Sequence, residues 1–121
     1  MALVTGIGGL FFRSDDPAAL AEWYETHLGM APPSETGAWT QEAGMTVFAP
    51  FKRDSDYFPA DRQYMLNLRV TDLAQLSAKL AGAGIEVETR PEWDMPEYGL
   101  FARIHDPEGN PIELWQPPDT A

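Results

Sequence analysis

The 121-residue chain contains no cysteine, few basic residues and no long apolar run. The lack of cysteine excludes disulfides, a thiolate nucleophile and a cysteine-based zinc site. Eight Lys and Arg stand against 19 Asp and Glu, a net charge of −11. This balance disfavours nucleic acid and anionic lipid, which attract clustered basic side chains. No apolar run approaches the ~20 residues that span a bilayer, and the first residues do not resemble a signal peptide. We therefore expect a cytoplasmic protein that binds neither nucleic acid nor membrane.

The hydrophobic content of 44% predicts a folded domain, and the length suits a single one. Apolar residues at helical spacing predict two helices, which Asp16 and Asp72 cap at their N-termini. Gly29 is expected to end the first helix in the left-handed conformation. Strands are predicted at residues 3–13, 38–42, 45–49, 64–70 and 85–89, with residues 50–63 as a linker between two halves.

The two halves repeat each other at a shift of 56 positions. Arg13 then aligns with Arg69, Asp16 with Asp72, and Leu20 with Leu76. Each half follows the order strand, helix and three strands. Two capped amphipathic helices can resemble each other by chance, but the shared Arg-x-x-Asp spacing favours a true repeat.

The segment from Tyr98 to Pro117 predicts a closing hairpin. Its turn at residues 106–110 contains Pro107, which fixes φ, and Gly109, which permits a positive φ. The turn is therefore expected to be structural. Glu113 lies in the middle of the second strand, where its carboxylate faces either solvent or a pocket.

This hairpin resembles the vicinal oxygen chelate superfamily, which includes glyoxalase I, bleomycin resistance proteins and extradiol dioxygenases. The helix end from Trp23 to Met30 and the two-part repeat are also similar to that superfamily. The resemblance implies an α+β fold in one domain, residues 1–121. Two tandem βαβββ modules, at about residues 1–52 and 62–117, would form a curved mixed sheet shaped as a cup. It also implies a homodimer.

Metal-dependent members of this superfamily hold a divalent ion in the cup with four side chains. Carried onto this chain, the four positions fall on Gly9, Met65, Glu113 and, least firmly, Thr46. Such ions need imidazole or carboxylate donors, and Glu113 alone supplies one. His27 and His105 do not restore the set. We therefore expect no cofactor, with a divalent metal disfavoured.

Alternation of side chains along strands predicts which residues face the cup. From the strand before the turn, either Phe101, Arg103 and His105 or Leu100, Ala102 and Ile104 face inward, and the polar set is favoured. The mixture of aromatic and polar groups is typical of a small-molecule pocket. The predicted ligand-binding residues are Phe11, Arg13, Phe48, Met65, Asn67, Arg69, Arg103 and Trp115.

Glu113 has two interpretations. Beside aromatic rings its pKa could rise, and it would then act as a catalytic acid or base. Alternatively, it pairs with Arg13, Arg69 or Arg103 in a structural role. Tyr64, Tyr98 and Trp93 are expected at the rim of the cup, where packing is a more common role than gating.

Three functional hypotheses follow. The first is a metal-independent, dimeric binder of a small, partly apolar molecule, of the bleomycin-resistance type; a cup filled by its own side chains would argue against it. The second is a metal-dependent glyoxalase- or dioxygenase-type enzyme that uses Glu113 with donors such as His105, Asp54 or Asp56. The third is a regulatory protein whose acidic surface binds a basic partner, for which net charge is the only support.

Overall fold

A computed structural model describes residues 3–30 and 38–118. The elements along the chain are α1 (Pro17–Leu28), β1 (Leu66–Arg69), α2 (Leu73–Gly82), a 3-10 turn (Pro91–Trp93), β2 (Leu100–His105) and β3 (Pro111–Gln116). The fold is thus a small α+β structure with a mixed sheet. None of the described helices is long and apolar enough to cross a membrane.

Both helices begin where their capping residues predict. The Asp16 side chain accepts a hydrogen bond from the Ala19 N–H at 3.2 Å, and Asp72 accepts one from the Gln75 N–H at 3.0 Å. These bonds satisfy N–H groups that have no partner within the first helical turn. Gly29 ends α1 with a φ of 64°, in the left-handed region. The predictions of both caps and of this stop are confirmed.

The sheet has the order β1-β3-β2. β1 is parallel to β3, and β2 is antiparallel to it across the predicted hairpin. Beyond β2, Glu88 and Arg103 exchange two backbone hydrogen bonds of 2.9 and 2.8 Å. The strand predicted at residues 85–89 is therefore reduced to this one bridge.

One face of the sheet packs against the helices and forms the core. Its side chains are buried because they alternate with polar residues that point to the opposite face. The buried cluster consists of Leu20, Tyr24, Leu73, Leu80, Ala102, Ile104, Ile112 and Leu114.

The strands predicted at residues 3–13, 38–42 and 45–49 are not formed in this structure. Gly6, Gly8 and Gly9 weaken the first of these segments as a strand. Its apolar side chains are exposed, as are those of residues 45–48, and Phe11 is 96% exposed. Of the elements predicted for the second half, the described residues show β1, α2, β2 and β3, with a single bridge at Glu88 for the remaining strand, while the first half shows α1.

Candidate functional site

A row of polar residues crosses the sheet on the face opposite the core. Glu113 in β3 pairs in register with Asn67 in β1 on one side and with Arg103 in β2 on the other. Strand alternation sends these three side chains away from the helices, since their neighbours Ala102 and Leu114 belong to the core. The polar set favoured on β2, which is Phe101, Arg103 and His105, therefore lies on the face opposite the core.

Glu113 is buried, with 8% of its surface exposed. Its Oε1 accepts a hydrogen bond from the Asn67 Nδ2 at 2.7 Å. Its Oε2 accepts one from the Tyr57 hydroxyl. Each carboxylate oxygen thus has a donor, as a buried carboxylate requires.

Arg103 is equally buried, with 6% of its surface exposed. Its Nη2 donates to the Tyr57 carbonyl at 2.8 Å. The guanidinium carbon lies 5.0 Å from the Tyr57 ring centroid and 5.4 Å from that of Trp93, so the cation contacts two aromatic rings. The Nε of Arg103 is buried and has no hydrogen-bond partner among the described residues.

Tyr57 connects these groups, since its hydroxyl bonds Glu113 while its ring lies under Arg103. Burial raises the pKa of Tyr57 to about 12, and the bond to Glu113 adds to the rise, while Arg103 opposes it. The hydroxyl is therefore held as a hydrogen-bond donor. The Tyr57 ring also meets that of Trp93 edge-on at 6.1 Å and lies 5.8 Å from that of Phe51. The Tyr57 side chain thus fills the space over Glu113, where the sequence predicted an open cup.

Trp115 forms the next row of this face. Its ring is parallel to that of Phe101 at a centroid distance of 6.5 Å. Its Nε1 donates to the Tyr98 carbonyl at 2.7 Å, which fixes the indole and ties down the loop that carries Trp93. The face therefore has aromatic groups beside the polar row.

The other predicted site residues lie elsewhere. Phe11 and Phe48 are exposed, the latter by 83%, and Arg13 lies in the same exposed segment as Phe11. Met65 is half-buried directly before β1. The predictions for Phe11, Arg13 and Phe48 assumed strands in the first half, and that for Met65 assumed a place on the first strand of the second half. The role of these residues in binding stays a prediction.

Arg69 has a structural role that the sequence did not reveal. Its Nη1 donates to the Met45 carbonyl at 2.7 Å and its Nη2 to the Glu42 carbonyl at 2.8 Å. A Cβ on Gly44 would lie 2.8 Å from the guanidinium carbon, so the loop backbone passes close to this side chain. The cation therefore holds this loop, and its role in ligand binding stays a prediction.

Tyr57 is the site residue that sequence reasoning missed, because residues 50–63 were interpreted as a linker. The signal was present in composition, since Phe51, Tyr57 and Phe58 are aromatic residues in an otherwise charged stretch. Aromatic residues in a linker are unusual, because exposing them is unfavourable. Their clustering predicts that the segment packs on something.

The residues around Glu113 do not fit a divalent metal ion. The groups within its reach are a phenol, an amide and a guanidinium, of which the last is a cation. Hard divalent ions require several carboxylate, carbonyl or imidazole donors. Across residues 3–30 and 38–118, no group of three or more His, Asp or Glu is placed to hold such an ion.

The turn at residues 106–110 is structural, as predicted. Asp106 is 4% exposed, and its carboxylate accepts bonds from the Tyr24 hydroxyl at 2.7 Å and from the backbone of residues 108 and 110. Glu108 accepts from the Ser14 hydroxyl at 2.6 Å and from the Asp15 N–H, and these donors lower the pKa of its carboxyl. Gly109 takes a φ of 82°. The turn therefore docks α1 onto the sheet.

Two open grooves lie away from the polar row. The larger, of about 540 Å³, is lined by residues of the 94–100 loop and by Gln116, Pro117 and Pro118. The smaller, of about 260 Å³, lies between Trp23 and the segment that begins at His105. Neither is lined by Glu113, Tyr57 or Arg103.

Comparisons with known proteins give one family and one fold. The profile of the family described as "Glyoxalase-like domain" matches residues 9–115. The crystal structure of TnmS3, an antibiotic binding protein from Streptomyces sp. CB03234, is similar with a TM-score of 0.57 and 23% sequence identity. The alignment covers 97% of this chain and 99% of that one, and at this identity it shows a shared fold. No curated protein matches the chain.

Proposed function

Because the chain belongs to the glyoxalase-like domain family, within the vicinal oxygen chelate superfamily, we propose that it binds a small, partly apolar molecule without a divalent metal. The site is the sheet face around Glu113. One observation carries the proposal: a buried guanidinium and a buried carboxylate lie beside Trp93, Phe101 and Trp115 on the sheet face opposite α1 and α2. Such a mixture of aromatic walls and few polar groups is typical of ligand sites.

The similar fold of an antibiotic binding protein supports binding over catalysis. The donor chemistry around Glu113 supports independence from metal, because its neighbours are a phenol, an amide and a cation. The ligand takes the space that Tyr57 fills, so binding requires that side chain to move. We also propose that the protein is cytoplasmic.

Binding of 8-anilinonaphthalene-1-sulfonate, an aromatic anion, tests the proposed function. Replacing Trp93 with alanine is expected to weaken binding about tenfold, because an aromatic contact beside the cation is lost. The change is followed by probe fluorescence on protein dialysed against EDTA. Trp39→Ala is the matched control, since Trp39 is exposed and lies on the 38–50 segment; it should leave the dissociation constant unchanged.

Metal addition is the second arm of that experiment. We expect the affinity to be the same after EDTA treatment and after Zn²⁺ is added back. Binding that disappears with EDTA and returns with Zn²⁺, but not in a Glu113→Ala variant, would instead support a metal-dependent enzyme that uses Glu113. Equal weakening by the two tryptophan variants would place the probe outside the proposed site.

We also propose that the protein is a homodimer in which the first half completes its βαβββ module. Leu3, Val4, Phe11 and Phe48 are largely exposed, and an apolar surface of this kind marks an interaction site. β1 is paired on one edge only among the described strands, which leaves backbone groups for another strand. Light scattering coupled to gel filtration should give about twice the monomer mass of 13.4 kDa. Replacing Phe11 and Phe48 with serine should shift the mass to that of a monomer, and a wild-type monomer would contradict the proposal.

A further inference from the structure

Tyr57 places a phenol on the Glu113 face of the sheet. Its hydroxyl donates to the Glu113 carboxylate, and its ring lies against the Arg103 guanidinium at 5.0 Å and against the edge of Trp93 at 6.1 Å. The face therefore provides an acceptor for a hydroxyl, a cation for a ring face and an aromatic wall. The phenol side chain of Tyr57 contacts all three groups, so a planar phenol fits them.

We propose that the ligand is a planar phenol. The Tyr57 side chain competes with it, because it occupies the binding site beside Glu113, Arg103 and Trp93 until the ligand displaces it. This inference rests on the proposed function and names its ligand class. The ligand hydroxyl donates to Glu113 in place of the Tyr57 hydroxyl, and its ring takes the place beside Arg103 and Trp93. Asn67 remains on the second carboxylate oxygen, so Glu113 keeps two donors in both states.

Few hydrogen bonds hold the segment that carries Tyr57 to the rest of the fold. Residues 50–59 contain no helix or strand, and short local bonds such as that from the Ser55 N–H to the Lys52 carbonyl shape them. Besides a local bond from its N–H to the Ser55 hydroxyl, Tyr57 is hydrogen-bonded to Glu113 through its hydroxyl and to Arg103 through its carbonyl. Segments with few hydrogen bonds to the rest of the fold open at low free energy.

Arg103 gives a second reason for a ligand with oxygen substituents. Its Nε is buried without an acceptor among the described residues, and such a donor is unfavourable unless it is paired. The Tyr57 phenol has no further oxygen to offer. A phenol that carries a second oxygen on its ring could satisfy this donor when it replaces Tyr57.

The test uses p-cresol, which is the tyrosine side chain as a free molecule, and toluene, which lacks the hydroxyl. The Tyr57→Ala variant leaves the binding site open. Its affinity for p-cresol should be at least about tenfold higher than that of the wild type, because the competing side chain is removed. Toluene should bind this variant about tenfold more weakly than p-cresol, since it cannot donate to a charged acceptor. Titrations followed by ¹⁵N–¹H spectra measure both constants, and the Arg103 Nε–H signal should shift with p-cresol.

Tyr57→Phe is a second variant that tests the inference even if the alanine variant does not fold. It keeps the ring but loses the hydroxyl, so it should bind p-cresol more tightly than the wild type does. Tyr98→Ala is the matched control, because the Tyr98 side chain is exposed and only its backbone carbonyl serves Trp115. It should bind p-cresol as the wild type does.

Two outcomes overturn the inference. One is equal affinity of Tyr57→Ala for p-cresol and toluene, and the other is equal affinity of p-cresol for the wild type and both Tyr57 variants. If either occurs while anilinonaphthalene sulfonate still binds in a Trp93-dependent way, the ligand class fails and the proposed function stands. If neither probe depends on this face, both fail together.

Discussion

Replacing Gly99 with alanine is expected to destabilise the protein by about 4 kcal/mol, the sum of backbone strain and overpacking. Gly99 has a φ of 116°, and a Cβ there would lie 2.1 Å from the Gln116 carbonyl oxygen. This oxygen belongs to the backbone of β3, which cannot move aside for a Cβ as a flexible side chain can. Gly99 also exchanges backbone hydrogen bonds with Met95 at 2.7 and 3.0 Å, which close the loop leading from Trp93 to β2. Urea unfolding measures the loss.

Gly84→Ala is the matched control for that experiment. Gly84 has a φ of 84° but nothing within 4 Å of a Cβ, so it isolates the cost of the left-handed conformation. We expect about 1 kcal/mol for this variant. Equal effects of the two substitutions would show that the close approach of Gly99 to Gln116 contributes nothing. Folded Gly99→Ala protein should also lose probe binding at the polar row, because the loop that positions Trp93 is displaced.

Replacing Asp106 with alanine is expected to destabilise the protein by about 3 kcal/mol, because a buried network of hydrogen bonds loses its acceptor. The carboxylate accepts from the Tyr24 hydroxyl at 2.7 Å, the Asn110 side chain at 2.8 Å, and the N–H groups of Glu108 and Asn110 at 2.9 and 3.0 Å. The buried Tyr24 hydroxyl would be left without its acceptor. Burial and the bond to Asp106 raise the pKa of Tyr24, so in the intact protein the hydroxyl is protonated and donates to Asp106.

Asp72→Ala controls for the loss of a carboxylate as such. Asp72 is exposed and caps α2 through one hydrogen bond at 3.0 Å, so its removal should lower the free energy of unfolding by about 1 kcal/mol. Tyr24→Phe removes one bond of the Asp106 network and should fall between the two. Thermal and urea unfolding of the three variants give the order, and an Asp106 variant no less stable than the Asp72 variant would contradict the structural role of the turn.

Local signals predicted the elements whose causes are local. Asp16, Asp72 and Gly29 determine helix ends through bonds that close within four residues, and Pro107 with Gly109 determines a turn of five. Strand alternation also placed Asn67, Arg103 and Glu113 on one face, because that pattern has a period of two regardless of tertiary structure. These features carry the family resemblance, which explains why the family could be recognised.

The sequence could not predict features that depend on distant partners. A strand exists only when another backbone pairs with it, and residues 3–13 have the apolar content of a strand without a described partner. Arg69 was placed on the correct face, but its bonds to Glu42 and Met45 depend on how a loop folds back. Tyr57 reaches Glu113 across 56 positions of the chain, a contact that no periodicity encodes.

The docking of α1 has a consequence for the order of events during synthesis. Tyr24 finds its acceptor 82 residues later, and Ser14 finds Glu108 94 residues later. At about 5–20 residues per second, the ribosome makes α1 roughly ten seconds before the turn that receives it. Over that interval α1 has no Asp106 to bind, and a helix of 12 residues is only marginally stable without tertiary packing. The apolar side chains of Leu20 and Trp23 therefore lack much of their packing surface until the final hairpin is made.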